Sequence, residues 1–387
     1  MPERTVRTSS TPAIAIIGAG VIGLATGWRL AQAGCAVTIF DRAASGRGAS
    51  WAAAGMLAAA CECEPGEETL LELNRLSQSL WPGFARDVEA ASGTDIGYRE
   101  EGTLVLALDR DDQARLRALV AFQRGLGLDL AWLSPAEARA REPHLHPGLA
   151  GAVYSPADHQ VDNRLLVGAL AAAFRRAGGV LHEHEAVTGL SVSGGKATGL
   201  RLGAARHPAD VVVLAAGAWS PQIEGIAEAM SLPVRPVKGQ MLALRMDPAA
   251  PLLRHVVWTG RVYLVPRRDG RLIVGGTVEE RGFDERLTAG GMLALLDGAW
   301  RALPAVEELA MEESWVGFRP GSRDDAPVLG PSAIDGLVLA TGHHRNGILL
   351  TPATADAVSR YVLTGEVDRA IRPFGIDRFA NGKTGKR

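Results

Sequence analysis

Several large classes of protein are excluded by what this sequence has little of. Its 387 residues include three cysteines, Cys35, Cys61 and Cys63, too few for a disulfide framework. Cys61-Glu62-Cys63 has no second Cys or His cluster near it that would complete a zinc site. An excess of one charge is also missing: 41 Lys and Arg face 43 Asp and Glu, for a formal net charge of -2. With no block of like charge, neither nucleic acid nor an anionic membrane is expected as a partner. One apolar run behind Arg4 and Arg7, "AIAIIGAGVIGLATGWRLAQAG", has the outline of a signal peptide, but Arg29 and Gln32 interrupt it. The expectation is a cytoplasmic protein with reduced thiols and a loose polar tail over residues 1–12. At 47% hydrophobic and 22% charged residues the composition is globular, and the length calls for two domains.

The same apolar run carries the first positive signal. Ala13–Ile17 is a β-branched stretch of the kind buried on both faces of a parallel sheet. Gly18-Ala19-Gly20-Val21-Ile22-Gly23 turns it into a helix ending near Gly34, and a second strand, Ala36–Phe40, stops at Asp41. Each part has a mechanical purpose. Gly18 permits the tight turn, Gly20 lets a pyrophosphate approach the backbone, and Gly23 lets helix and strand pack closely. The helix N-terminus favours phosphate charge, and Asp41 can accept hydrogen bonds from ribose hydroxyls. A dinucleotide site is the reading.

Beyond it, "GRGASWAAAGMLAAA" (46–60) contains mostly small residues, which suits either a tight Ala-rich helix or backbone passing close to a planar ligand. A helix is predicted over 68–91, with Leu73, Leu76, Leu80, Phe84 and Val88 as its core stripe. Another is predicted over 162–177, capped by Asp162 and stopped by Gly178-Gly179. "VLHEHEAV", a Gly-Gly hairpin and "DVVVLAAG" follow as strands, the last ending at Gly217. His182 and His184 alternate with Glu183 and Glu185 as on a solvated strand face. Period-2 alternation over 232–246 and 255–278 marks an antiparallel sheet, and a helix is predicted over 289–303. The chain then returns through "GFRPGSRDDAPVLG" and the strand "GLVLATG". It reaches "TGHHRNGILLTPATA", in which two histidines, an arginine and an asparagine form a cationic turn before a helix starting near Asn346.

Together, "AIAIIGAGVIG" with Asp41, "ASWAAAGMLAA", "VVVLAAGAWS", "VYLVPRRDGRLIVGGT", "GFRPGSRDDAPVLG" and "GHHRNGILLTPATA" resemble the D-amino-acid-oxidase-like flavoprotein superfamily. Within it they resemble the glycine oxidases of thiamine biosynthesis. The resemblance spans nearly the whole chain and is most specific in the last three motifs. It implies a discontinuous α/β FAD-binding domain (Rossmann-like, glutathione-reductase type) over 13–90, 150–230 and 318–372. An inserted α+β antiparallel-sheet substrate domain would take 91–149 and 231–317, leaving 1–12 and 373–387 as loose tails.

The resemblance also implies noncovalent FAD, with Gly18, Gly20, Val21, Ile22 and Gly23 at the pyrophosphate and Asp41 and Arg42 at the adenosine ribose. Ala49, Ser50, Ala54, Gly55 and Met56 would line the passage to the flavin, Val187 would face the adenine, and Gly217 would border the cofactor. His343, His344, Arg345, Asn346, Gly347, Ile348 and Leu349 would cover the pyrimidine end of the isoalloxazine, where a helix N-terminus meets negative charge. Arg319 and Tyr263 match the pair that holds a substrate carboxylate, and Arg345 matches a second substrate-facing arginine. The competing structural readings are an ion pair of Arg319 with Asp324 or Asp325, a cross-strand aromatic role for Tyr263, and a structural or flavin-contacting role for Arg345. Val278, where the family pattern has a methionine, and His344, where an aromatic is common, leave the preferred amine open.

The implied reaction is oxidation of glycine, sarcosine or a small D-amino acid by hydride transfer from Cα to flavin N5. O2 is reduced to H2O2, and an imine or glyoxylate is formed for thiazole synthesis. A homo-oligomer, in this family a homotetramer, is implied, with thiazole-synthesis enzymes as partners. The alternatives are a D-amino-acid dehydrogenase feeding a quinone, a sarcosine-oxidase-like enzyme, and a flavin-bearing subunit or RNA-modifying module whose partner supplies the function. All three cysteines precede residue 64, so covalent flavin attachment through a C-terminal cysteine is excluded. The absence of a basic stripe argues against RNA.

Overall fold

The computed structural model describes residues 12–226 and 230–380, so most of the expected N-terminal tail, and 381–387, lie outside the described residues. Two sheets organise the chain. The six-stranded one runs Val328–Pro331, Leu337–Thr341, Val211–Leu214, Ala13–Ile17, Ala36–Phe40, Val180–His182. Its five strands from Leu337–Thr341 to Val180–His182 are parallel, with Ile16 opposite both Val213 and Ile39. Central position explains the unbroken apolar run of Ala13–Ile17: Ile14, Ala15 and Ile16 are at most 1% exposed. One face of this sheet is covered by the helices Val21–Gln32, Asn163–Arg176 and Thr351–Thr364, and the other by a core that includes the hairpin strands Gly189–Ser193 and Lys196–Leu202.

The eight-stranded sheet runs Ala310–Ser322, Val234–Arg245, Arg271–Gly275, Tyr263–Pro266, Val256–Trp258, Thr103–Ala107, Gly151–Ser155, Ala131–Leu133. All its pairings are antiparallel except that of Val256–Trp258 with Thr103–Ala107. Period-2 geometry splits its residues between two cores. Leu242 and Leu244 join the core under the helix Ala289–Ala302. Met241 and Ala243 point the other way, to Ala52, Ala54 and Trp315. That second face looks onto the nucleotide-binding half and forms one wall of the site.

Four expectations are corrected, and the choice left open at 46–60 is decided. Gly151–Ser155 pairs within the eight-stranded sheet, and Ala310–Ser322 is one continuous strand, so the boundaries at 149/150 and 317/318 cut through ladders. The chain beyond 373 is not loose as far as 380: Phe374 is buried, and the Arg378 guanidinium grips the Asp324 carboxylate at 2.8 Å. Leu76 is 41% exposed, because the buried stripe of the helix Glu68–Ser92 runs through Leu73, Asn74, Ser77 and Trp81. Residues 46–60 form no extended helix, only Ala49–Ala52 and the strand Met56–Leu57, which pairs with His159–Gln160. The last helix begins at Thr351, five residues after Asn346.

Candidate active site

A cavity of about 630 Å³ runs between the two sheets. At the nucleotide end its wall is backbone. Gly18 has φ +105°, and a Cβ there would lie 2.5 Å from the Ala215 carbonyl oxygen. A Cβ on Gly23 would lie 1.9 Å from the Gly18 oxygen, so this position is closed to any side chain. Val21 N–H donates to Ser50 Oγ at 3.0 Å, tying the turn to the next segment. Asp41 accepts from Ala19 N–H at 2.7 Å and Ala43 N–H at 2.9 Å. Burial nevertheless raises its proton affinity, against those two hydrogen bonds. The Arg42 guanidinium lies over the Trp219 ring, 3.9 Å from its centroid, and Val187 and Gly217 line the same cavity.

The middle of the cavity is a strap, 46–56, held from behind by Arg267. This arginine is 6% exposed, and its guanidinium donates to the carbonyls of Ala54 and Val161 and to Asn163 Oδ1 and Gln160 Oε1 at 2.7–3.1 Å. Asn163 in turn donates to the carbonyls of Ser50 and Trp51. Gly55, at φ +69°, would place a Cβ 2.0 Å from Val161 O, so the strap lies flat against its support. Burial pushes Arg267 down to about 10, still charged at neutral pH.

The turn after Gly342 is not the cationic element expected. His343 is buried with Nε2 3.1 Å from Thr354 Oγ1, and burial pushes its imidazole down to about 3. Burial, with Arg345, Arg319 and Arg235 nearby, does the same to His344. Arg345 keeps its charge, since Glu62 and Glu67 outweigh the cost of burial, but those two carboxylates also neutralise it. What remains is backbone. Gly347 and Ile348 line the cavity, and among the described residues their N–H groups find no acceptor. Leu349 faces away, its carbonyl accepting from Ser77 Oγ and Trp81 Nε1. Asn346 is buried with an unpartnered Nδ2.

At the far end, Tyr263 and Arg319 converge. The point a Cβ on Gly276 would occupy lies 2.9 Å from Tyr263 Oη and 3.0 Å from an Arg319 Nη atom. Gly239 leaves room for the same guanidinium, since a Cβ there would be 2.6 Å from Nη1. Arg319 donates to Thr277 O at 3.0 Å and, among the described residues, has no carboxylate within 4 Å. The ion pair suspected from sequence is absent: Asp324 is taken by Arg378, and Asp325 lies 3.6 Å from Arg235. Tyr263 Oη donates to Met241 Sδ at 3.3 Å, a weak acceptor, with the Arg319 guanidinium beside it. Burial raises its proton affinity, with Arg319 working against it, and keeps the phenol neutral.

Of the residues singled out in the sequence, Gly23, Asn346 and Leu349 are outside the cavity lining, and the others are brought into it. Glu62, Met241 and Trp258 line it without having been foreseen. Val278, singled out in the sequence, also lines the cavity, 71% exposed at the rim. Glu62 had a signal in the Cys61-Glu62-Cys63 stretch, an acid among small residues, but it was weighed only as a zinc motif.

A parallel dinucleotide-binding sheet, facing across one cavity a second sheet that presents an unpaired arginine, is the arrangement of a flavin-dependent oxidoreductase. The profile of the family "FAD dependent oxidoreductase" matches residues 13–361, and the chain belongs to that family. Among its relatives, the glycine oxidase of Geobacillus kaustophilus is 38% identical, over 96% of this chain and 98% of its own length. That of Pseudomonas aeruginosa is 35% identical over 88% and 92%. A bifunctional ThiO/ThiG protein of Trichormus variabilis is 36% identical over 95% of this chain and 55% of its own. The crystal structure of the Geobacillus enzyme superposes with a TM-score of 0.89, covering 96% of this chain and 99% of that one at 36% identity. The protein is thus an FAD-dependent oxidoreductase. No helix among the described residues is long and apolar enough to cross a membrane.

Proposed function

We propose that this enzyme oxidises glycine, or a comparably small amine such as sarcosine or a small D-amino acid, at the carbon bearing nitrogen. The observation that carries the reading is Arg319: a cavity-facing guanidinium without an acidic partner, converging with a neutral tyrosine hydroxyl. A planar cation with free donors is suited to a carboxylate. The two groups fix the substrate by its acid end, which sets where Cα points.

Gly18, Gly20, Val21, Ile22, Asp41 and Arg42 would hold the nucleotide part of FAD. The strap with Ala49, Ser50, Ala54, Gly55 and Met56 would back the flavin, and the free amides of Gly347 and Ile348 would face its pyrimidine edge. When bound, FAD supplies the chemistry of hydride acceptance from Cα and return of electrons to O2. The protein contributes orientation, a dry cavity and hydrogen-bond donors fixed in advance. The six-stranded sheet with its helices would act as the cofactor domain, and the eight-stranded sheet with the helix Ala289–Ala302 as the substrate domain. The fused ThiO/ThiG relatives support delivery of the product to a thiazole-forming partner, and a cytoplasmic homotetramer accords with the resemblance. The test is product analysis: the holoprotein with glycine in air should consume O2 and form glyoxylate, ammonia and H2O2. No O2 uptake with glycine, sarcosine or D-alanine would overturn the reading.

A further inference from the structure

The carboxylate clamp accounts for one pole of an amino acid, and the cavity holds a group suited to the other. Glu62 lines the cavity and is 9% exposed. The backbone on either side of it is fixed. Ala60 and Cys61 donate to the Asp158 carboxylate at 3.0 and 2.7 Å, and Gln123 Nε2 donates to the carbonyls of Ala60 and Cys63. Four hydrogen bonds thus hold in place the backbone that carries Glu62.

Its charge is matched only in part. One guanidinium, Arg345, serves two carboxylates. Glu67 takes it with both oxygens, 2.8 and 2.7 Å from Nη2. Glu62 has only a close ion-pair contact, Oε2 to Nε at 2.7 Å, and that oxygen makes no aligned hydrogen bond. A buried acceptor left this way is costly unless a donor arrives. The other groups facing it are Asp158, which repels its charge, the neutral Cys61 thiol and the neutral Tyr263 phenol. Burial, opposed by Arg345 and reinforced by Asp158 and Glu67, pushes Glu62 up to about 7.

We propose that Glu62 is the amine pole of the cavity: its carboxylate receives the substrate ammonium and takes one proton from it before oxidation. This rests on the amine-oxidation reading above. The step balances within itself. One N–H bond of the ammonium breaks, one O–H bond forms on Glu62, and the carboxylate becomes a neutral acid. The nitrogen keeps the electron pair, which is what allows Cα to give up a hydride. The geometry also has a selective consequence. A zwitterion finds a counter-charge at both ends, whereas a hydroxy acid of the same size finds one.

The sign of the pH effect follows. Glu62 accepts a proton only when ionised, so flavin reduction by glycine should fall as pH drops through about 7. The experiment is anaerobic stopped-flow reduction of the FAD-loaded wild type and Glu62→Gln by glycine from pH 6 to 10. It is paired with titration of the flavin spectrum by glycolate, which has the carboxylate but no ammonium. The variant should keep its flavin and bind glycolate within about twofold of wild type. Its reduction at pH 8 should be roughly 100-fold slower and recover with rising pH, as solution supplies the neutral amine. A variant with the wild-type pH profile would remove Glu62 from the reaction while leaving the reaction standing. So would glycolate binding weakened as much as glycine reduction, the mark of a merely structural role. If the wild type itself is not reduced by glycine, sarcosine or D-alanine at any pH, the amine-oxidation reading fails and this inference falls with it.

Discussion

Where the cavity meets the six-stranded sheet its wall is backbone, shaped by Gly18 and Gly20, with Gly23 packed behind them, and closed by Asp41, all within 24 residues of one another. Where it meets the eight-stranded sheet the wall is side chains, and Glu62, Tyr263, Arg319 and Arg345 come from four separate segments. The first end recognises what all dinucleotides share, a pyrophosphate and a ribose, so local backbone geometry suffices. The second must distinguish a small amino acid from other small anions, so it needs charges placed from several directions. The two ends should therefore fail differently when altered.

Arg319→Ala should have the largest kinetic effect. Loss of two charge-assisted hydrogen bonds should raise KM for glycine on the order of 100-fold to 1000-fold, with the flavin spectrum unchanged. Loss of flavin in that variant would mean that the two ends are not separable. Arg267→Met breaks the support between them. It leaves the carbonyls of Ala54 and Val161 without donors and should cost about 2–4 kcal/mol of stability, read by denaturant unfolding. An unchanged midpoint would show that the strap stands without its arginine. Gly23→Ala places a methyl 1.9 Å from the Gly18 oxygen and should cost about 1–3 kcal/mol, with weaker FAD retention on gel filtration. KM for glycine in the flavin-loaded fraction should not change. The smallest effect is expected at Leu76→Ala, within about 0.5 kcal/mol. Leu73→Ala on the same helix should cost about 2–4 kcal/mol, which tests the reassigned stripe.

The difference between the ends also governed how much could be read from sequence. The turn from Gly18 to Gly23, with Asp41, was legible because its function depends on local spacing, and every residue type in it has a backbone reason. Arg319 and Tyr263 came into view through resemblance alone. They face each other across the sheet, and whether Arg319 is paired depends on Arg378 and Arg235 claiming the neighbouring aspartates. The turn 343–349 borders the cavity through five of its residues, but its electrostatics differ from those expected. Charge counted along the sequence cannot show that burial strips His343 and His344 of protons, or that Glu62 and Glu67 neutralise Arg345. The helix start near Asn346 was misplaced because single turns precede the regular helix. Arg267 stayed hidden because its acceptors lie over 100 residues away. Leu76 was misread because positions 73, 76, 77 and 80 all fit a helical stripe, and only packing decides between them.

The most direct test of the account is the visible spectrum of the purified protein, mixed anaerobically with glycine and then opened to air. Bleaching of the flavin bands, followed by rapid recovery in air, is the predicted result. Bleaching without recovery would contradict the return of electrons to O2 and point to a dehydrogenase. Bands unchanged by glycine, sarcosine and D-alanine alike would contradict the assignment of Arg319 and Tyr263 to an amino-acid carboxylate.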